Sequence, residues 1–497
     1  MAGKSGLLGG ESISQYLNDL KTDIQNLYLR DSVPWIVGYS GGKDSTAVLQ
    51  LVWYAISDLP KDKLLKPIHI ISTDTLVENP IVASWVENSH KAIKKASALN
   101  TLPFYPHRLM PEVSNTFWVN LIGKGYPAPR HKFRWCTERL KIKPSNKFIM
   151  DVTKDSGESI LVLGARKTES STRSAVMKKH EKNRVTDKLS PSGSLVGCNI
   201  FTPIEDWTND DVWMYLMQFK NPWGYHNQDL LTMYQGASPD GECPLVVDSS
   251  TPSCGDSRFG CWVCTLVEKD KSMSAMIQND AEKEWMAPLL AIRNALDFRL
   301  MGNGDKDNSA SDRHLRDFRR MNGKVSFMGE GERLRVIPGP YTQESRADWL
   351  KMLLEAQRHI QNTGPAYVKD IELITVEELN EIRRIWLFEK NETEDLLPSI
   401  YEKIFEKSFQ KGLSDFTRAI DTKHIRDLKE HLKNEPHIFE VIRNSLNAHE
   451  VFRYKRSGKK PKDFTEDFLQ QSLTRNADEA VKNETEVRNS VQILSKD

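Results

Sequence analysis

Residues 11–30 carry apolar side chains at helical spacing and predict an amphipathic helix. Short apolar runs follow at Trp35–Tyr39, Ile68–Ser72, Phe104–Leu109 and Ile160–Gly164, with helical stretches between them. A helix is expected directly after Gly42. Another should open at Asn79-Pro80, a capping residue followed by proline in the first turn. A third should open near Thr208, which stands three residues before Asp211 at the spacing of a capping box. Strands alternating with helices predict an α/β fold whose parallel sheet is covered on both faces. Ligands of such sheets bind at the carboxyl ends of the strands. Residues 221–270 are rich in Gly, Pro and Cys and show no period. Helical patterning resumes from about residue 271, over 279–300, 344–362, 376–390, 395–410, 417–433 and 436–449. Residues 302–313 are polar and predict a loop. The tail after Arg453 is charged and reads as partly disordered. The expected division is 1–32 (a helix), 33–220 (the α/β domain), 221–270 (the Cys-rich segment), 271–453 (a helical region) and 454–497 (the tail). No internal repeat is visible.

Composition narrows the class. The chain has 497 residues, of which 39% are hydrophobic and 28% charged. That length suits a large enzyme or about three domains. No apolar run approaches the ~18–20 residues that span a membrane. The first residues, MAGKSGLLGGES, are too weakly apolar for a secretory signal. The expectation is a soluble, cytoplasmic protein. The net charge of +1 argues against a uniformly basic nucleic-acid binder. It conceals an uneven distribution, however. Residues 124–190 hold 17 Lys/Arg against 7 Asp/Glu, a net of +10, which leaves −9 for the rest. A solvated face would explain such a run equally well.

The strongest local motif is Ser40-Gly41-Gly42-Lys43-Asp44-Ser45, directly after the first strand. Two glycines allow a tight turn and close approach to a ligand. Their N–H groups, with the following helix N-terminus, form a cradle for anionic oxygens. Ser40 and Ser45 can donate hydroxyl hydrogen bonds, and Lys43 can neutralise phosphate. Lys43 stands five residues after Gly38, so this is not a Walker A loop. Thr73 and Asp74, after the second strand, could meet a nucleotide or Mg²⁺. Gly164, Arg166 and Arg173 follow the fourth strand, where the arginines could grip phosphate and Glu169 could orient one of them. Ordinary loop chemistry and surface ion pairs are the competing readings. Pro203–Trp207 reads as architectural.

Six cysteines are too few for a disulfide scaffold. Four of them, Cys243, Cys254, Cys261 and Cys264, fall within 22 residues. Four thiolates can hold a [4Fe–4S] cluster or a tetrahedral zinc. No histidine intervenes, which favours an all-sulfur site, and spacing does not choose the metal. Cys136 lies among Arg130, Lys132, Arg134, Arg139, Lys141 and Lys143. Adjacent cations would favour its thiolate, the form that accepts or delivers sulfur. A core cysteine is the alternative. Cys198, in SLVGCNIF, reads as a buried strand residue.

SGGKDS resembles the pyrophosphatase loop of the adenine-nucleotide α-hydrolase (PP-loop) superfamily. STDT with Glu78, RWCTERLKI, GAR with Glu169, Ser170 and Arg173, and PIEDW are similar to its phosphoadenosine phosphosulfate reductase-like branch, in the same order over 33–220. Absences discriminate among the relatives. No cysteine follows Cys264, unlike thiol-dependent reductases. No Cys-Cys pair is present, unlike cluster-bearing adenylyl-sulfate reductases. Cluster-bearing tRNA thiolases usually use three cysteines. With a helical C-terminal region, roughly residues 15–450 resemble the DndC-type sulfurtransferases of bacterial DNA phosphorothioation.

That resemblance implies ATP with Mg²⁺ at Ser40–Ser45, Thr73, Asp74, Gly164, Arg166 and Arg173, with Lys43 and Asp44 taking part in catalysis. It tips the metal towards a [4Fe–4S] cluster on Cys243, Cys254, Cys261 and Cys264. It implies sulfur carried by Cys136 or the cluster, and DNA held by the basic segment. The implied partners are a cysteine desulfurase, other Dnd proteins and DNA, with no membrane. A reductase of adenylyl-sulfate compounds and a nucleotide-binding scaffold with a structural metal are the alternatives.

Overall fold

The computed structural model describes residues 13–181, 184–186, 188–238, 259–297, 299, 312–321, 324–409, 422–454 and 474–494. The chain divides into two compact units. The first comprises Met1–Glu112 and His131–Leu290, the second Val113–Arg130 and Ala291–Asp497.

The first unit is built on a six-stranded sheet. Its strands are β1 (Trp35–Gly38), β2 (Ile68–Thr73), β3 (Phe104–Leu109), β4 (Ser159–Val162), β5 (Leu189–Pro191) and β6 (Cys198–Phe201). They lie in the order β3-β2-β1-β4-β6-β5. All neighbours are parallel except β5 against β6. Trp35 of β1 sits opposite Ile68 on one side and Ile160 on the other. Trp35, Ile36 and Val37 are fully buried, because helices cover both faces of a parallel sheet. The chain winds outward from β1 through β2 to β3, then returns to the far side of β1 as β4. The sheet therefore has its topological switch between β1 and β4, where the strand ends open a crevice. The predicted α/β parallel-sheet class is the one observed, with one antiparallel edge strand.

The helices follow the predicted pattern. α1 (Ile13–Leu29) buries Leu17, Leu20, Ile24, Leu27 and Tyr28, a stripe at three- and four-residue spacing. α2 (Lys43–Ser57) springs from the turn after β1. α3 (Pro80–Leu99) is capped by Asn79, whose side chain accepts from the Ile81 N–H at 3.0 Å. α4 (Lys143–Ser156) and α5 (Ser171–Glu181) flank β4 in sequence. Thr208 and Asp211 complete a reciprocal capping box at the start of α6 (Asn209–Gln218). α7 (Asn227–Gly236) and α8 (Lys271–Asn279) complete this unit's main helices. Cys198 is buried at the head of β6.

Two expectations differ. The run 279–300 breaks at Asp280, which adopts an extended backbone; its carboxylate accepts from the Glu282 N–H at 3.0 Å and starts a 3-10 turn, Ala281–Met286. A helix resumes at Ala287–Leu296. The charged tail holds a helix at Ala477–Leu494, with Ala480 buried. Its sparse alanines and valines sit among charges, so its apolar stripe was too thin to read.

The second unit is largely helical, with helices at Gln343–Thr363, Val376–Arg384, Leu396–Phe405, Thr422–His431 and Pro436–Tyr454. The excursion 113–130 belongs to it: Trp118 Nε1 donates to the Leu373 carbonyl at 2.8 Å, and Trp386 Nε1 to that of Ile122 at 2.9 Å. Arg346 and Glu392 form a buried ion pair there. Among the described residues no helix is long and apolar enough to cross a membrane.

Candidate active site

The loop after β1 lies at the switch point. Gly41 adopts φ +74°, and a Cβ there would lie 2.6 Å from Val86 Cγ2 of α3. Both facts demand glycine. Gly41→Ala should lower the unit's stability by about 1–3 kcal/mol, read as a shifted urea midpoint, and should weaken nucleotide binding. Gly42 caps α2 without a side-chain partner for the helix N–H groups. The serines brace the turn: Ser45 Oγ accepts from the Ser40 N–H at 3.2 Å and donates to the Gly42 carbonyl at 3.0 Å.

Lys43 and Asp44 follow. Lys43 Nζ lies 3.5 Å from Asp44 Oδ2 and 5.3 Å from the centre of the Tyr234 ring. Burial pulls the Lys43 ammonium below its ordinary value, while Asp44 opposes that shift. Asp44 Oδ1 accepts from Arg166 Nε at 2.6 Å. Arg166 is buried and also donates to Thr168 Oγ1 at 2.9 Å and to the Trp207 carbonyl at 3.4 Å. The Pro203–Trp207 turn thus anchors the arginine at the carboxyl end of β4. Gly164 permits the same approach: a Cβ there would meet the Asp44 carbonyl oxygen at 2.8 Å. Arg173 pairs with Glu169, whose other oxygen accepts from the Arg166 N–H at 3.0 Å.

One cleft of about 1420 Å³ gathers these groups. Ser40, Gly42–Ser45, Thr73, Asp74, Gly164, Arg166 and Arg173 all line it. Gly41 is not on its wall. Asp74 fits a cation poorly: Oδ1 accepts from the Leu76 N–H at 2.7 Å, and Oδ2 pairs with Arg108. Thr73 Oγ1 shares a hydrogen bond of 2.9 Å with Ser145.

On the cleft wall, Ser72 Oγ meets His90 Nε2 at 2.7 Å. Burial first, then the charges of His107 and Arg108, push His90 down from 6.5 to about 4. His69, bonded to His107 at 3.0 Å, falls to about 4 for the same leading reason. Between these values the unfolded chain binds protons that the folded one does not. Stability should therefore fall as the pH drops from 6.5 to 4. His90→Gln should flatten that fall, as followed by urea midpoints across the range.

The cysteines are placed only in part. Cys243 and Cys254 lie outside the described residues. Cys261 and Cys264 share a tight turn, with the Cys264 N–H donating to the Cys261 carbonyl at 3.0 Å. That turn is tied to the carboxyl end of β2: the Asn79 N–H donates to the Gly260 carbonyl at 3.2 Å, and the Trp262 N–H to that of Val77 at 2.9 Å. Cys261 Sγ lies 3.4 Å from Thr75 Oγ1 and 3.7 Å from Glu78 Oε1. Lys141 Nζ meets the same Glu78 oxygen at 3.0 Å. Burial and the Glu78 carboxylate push the Cys261 thiol up to about 12. Among the described residues, no three His, Cys, Asp or Glu side chains are arranged to hold a metal ion. The donor chemistry of the described pair, two thiols on one turn, fits an iron–sulfur or zinc site whose remaining ligands lie elsewhere.

Cys136 corrects an expectation. Burial raises its thiol, and nearby Cys264 adds to the rise. Burial outweighs the surrounding cations. Arg130 belongs to the second unit and pairs with buried Asp312. Lys141 serves Glu78. Lys132, Arg134 and Lys143 are exposed, and Arg139 is half-buried. Residues Thr137–Ile142 wind as a π-helical turn into α4, a distortion frequent at functional sites. Much of the +10 segment is neutralised within the chain, for Lys167 pairs with Glu181 and Asp206, Arg184 with Glu205, and Lys188 with Asp23.

Sequence reading missed Tyr234, His90, Arg108 and Thr168. Arg108 ends a strand and was detectable as a cation at a ligand-facing strand terminus. Tyr234 lies in a helix far along the chain and left no local signal.

Part of the chain resembles known proteins. Residues 34–266 match the family model of the phosphoadenosine phosphosulfate reductase domain. An uncharacterized protein of Methanocaldococcus jannaschii is 26% identical over 245 residues, which is 49% of this chain and 39% of that protein. The chain thus spans well under half the length of that relative. Solved structures similar to it include the phosphoadenylyl-sulfate reductase of Candida auris in a phosphate complex, at 15% identity and TM-score 0.25, covering 42% of this chain and 89% of that one. The U34-tRNA thiolase NcsA of Methanococcus maripaludis, with its [4Fe-4S] cluster, is 13% identical at TM-score 0.26, covering 60% and 84%. Over residues 34–266, then, the chain is similar to phosphoadenosine phosphosulfate reductase domains.

Proposed function

We propose that this protein is an ATP-dependent sulfurtransferase that places sulfur on the DNA backbone, replacing a non-bridging phosphate oxygen. One observation supports this most: the cleft lined by Ser40, Gly42, Lys43, Asp44 and Ser45 is also lined by Glu78 and Lys141, and Glu78 Oε1 lies 3.7 Å from Cys261 Sγ. The cysteine turn therefore borders the space that would take a nucleotide phosphate.

In this reading the DNA phosphate oxygen attacks the α-phosphorus of ATP, and pyrophosphate leaves. Gly42, Lys43 and the first turn of α2 hold the phosphate charge. Asp44 fixes Lys43 and Arg166. The terminal sulfur of a Cys136 persulfide then attacks the activated DNA phosphorus, and AMP leaves with the oxygen. A cellular thiol attacks Cys136 Sγ, so the new sulfur stays on phosphorus. A second thiol reduces the resulting mixed disulfide. A cysteine desulfurase would supply the persulfide, and other Dnd proteins would present the DNA. Lys132, Arg134 and Lys143 would contact its phosphates, giving affinity that falls with salt. Cys261 and Cys264, with Cys243 and Cys254, would hold a [4Fe–4S] cluster, which when bound supplies sulfur or electron chemistry. Mg²⁺ would accompany the ATP phosphates.

The test is pyrophosphate release from ATP, compared with sulfite release from adenylyl sulfate or its 3′-phosphorylated form. Release of pyrophosphate that rises with DNA supports the reading. Sulfite release without ATP turnover would replace it with a reductase.

A further inference from the structure

Tyr234 of α7 joins the nucleotide loop to the cysteine turn. Its hydroxyl oxygen accepts from the Lys43 N–H, the first of α2, at 3.4 Å, and lies 3.2 Å from where a side chain at Gly42 would begin. Its ring lies beneath the Lys43 ammonium. The ring also packs in a T-shaped contact with Phe259, at 4.7 Å between centres and 79° between planes. Both rings line the cleft. Phe259 stands two residues before Cys261, and the intervening Gly260 carbonyl is the one bonded to Asn79. Burial raises the Tyr234 hydroxyl far above neutrality, so it keeps its proton at working pH. The oxygen accepts from the Lys43 N–H, and its own proton is available to an acceptor in the cleft that the residue lines.

We infer that Tyr234 is a positioning residue that donates its hydroxyl proton to a nucleotide phosphate and, through Phe259, sets the placement of Cys261 according to whether the loop is filled. This rests on the reading of Ser40–Ser45 as the nucleotide site. A phosphate that accepts from the hydroxyl at the first turn of α2 draws the rigid phenol as a whole towards it, and the ring contact passes the displacement to Phe259. Packed rings transmit such shifts because cores deform little. The arrangement would make sulfur chemistry at the cysteine turn responsive to bound ATP.

The test is hydrogen–deuterium exchange on the full chain, with and without saturating ATP. In the parent protein, peptides covering 38–50 and 259–268 should both exchange at least about twofold more slowly with ATP, a change of modest local stabilisation. Tyr234→Phe removes only the hydroxyl. It should weaken ATP binding about tenfold, the worth of one hydrogen bond to a charged group, and at saturation the 259–268 peptide should no longer respond. Phe259→Leu keeps the loop and the Tyr234 hydroxyl; at ATP concentrations that saturate that variant, 38–50 should still respond and 259–268 should not. A response of 259–268 that persists in either variant would overturn the inference, as would its absence in the parent when 38–50 responds. If 38–50 also fails to respond in the parent, the loop is not the nucleotide site and the underlying reading falls with it.

Discussion

Lys43→Ala is expected to reduce pyrophosphate release from ATP by about a hundredfold or more, the usual loss when one preorganised charge at a reacting phosphate is removed. The effect should be this large because the ammonium is held in place before ligand arrives. It is only 13% exposed and is held between Asp44 and the Tyr234 ring. A lysine already desolvated and oriented spends little on reorganisation when phosphate binds. Burial lowers its pKa, so removing the charge should not destabilise the unit. The variant should therefore unfold at the parent's urea midpoint or slightly above it. Loss of activity together with loss of fold would show instead that Lys43 is structural. Lys43→Arg should recover little, since a planar fork does not fit the space of a compact ammonium.

Arg166→Ala should have the largest effect on stability, a loss of about 2–4 kcal/mol in the first unit. The guanidinium is buried and ties three separate elements together: Asp44 of α2, Thr168, and the Trp207 carbonyl. Removing it leaves Asp44 partly buried without its strongest partner and empties the space beside β4. Breaking one side of a desolvated pair costs more than the pair contributes. Asp44→Asn on the Arg166→Ala background should recover part of the loss. A double-mutant cycle on the two positions, read by urea unfolding, should therefore show a coupling of about 1 kcal/mol or more. Additive losses would mean that Arg166 acts through packing alone.

These two residues also show what the chain discloses before folding. The loop was legible because its chemistry is contiguous: two glycines, a lysine and two serines must be neighbours to wrap one phosphate. The parallel sheet was legible because strands buried on both faces become continuous apolar runs, as in Trp35–Tyr39. Arg166 was visible as a cation after β4. Its partners were not, since Asp44 lies 122 residues upstream and Trp207 another 41 downstream. Only the strand order brings them together. Cys136 shows the converse failure. Neighbouring cations in sequence suggested a thiolate, yet a helical turn points successive side chains in different directions. Arg130 and Lys141 found carboxylates of their own, and burial then governed the thiol. Net charge over a segment misled for the same reason, since it counts charges without their partners.

We propose that ATP chemistry at Lys43 puts sulfur into DNA. It is tested most directly by digesting DNA from cells that carry the intact system and from cells carrying Lys43→Ala, then measuring nuclease-resistant, sulfur-containing dinucleotides by mass spectrometry. The account predicts such dinucleotides from the intact system and none above background from the variant. Equal amounts in both, or none in either, would contradict it.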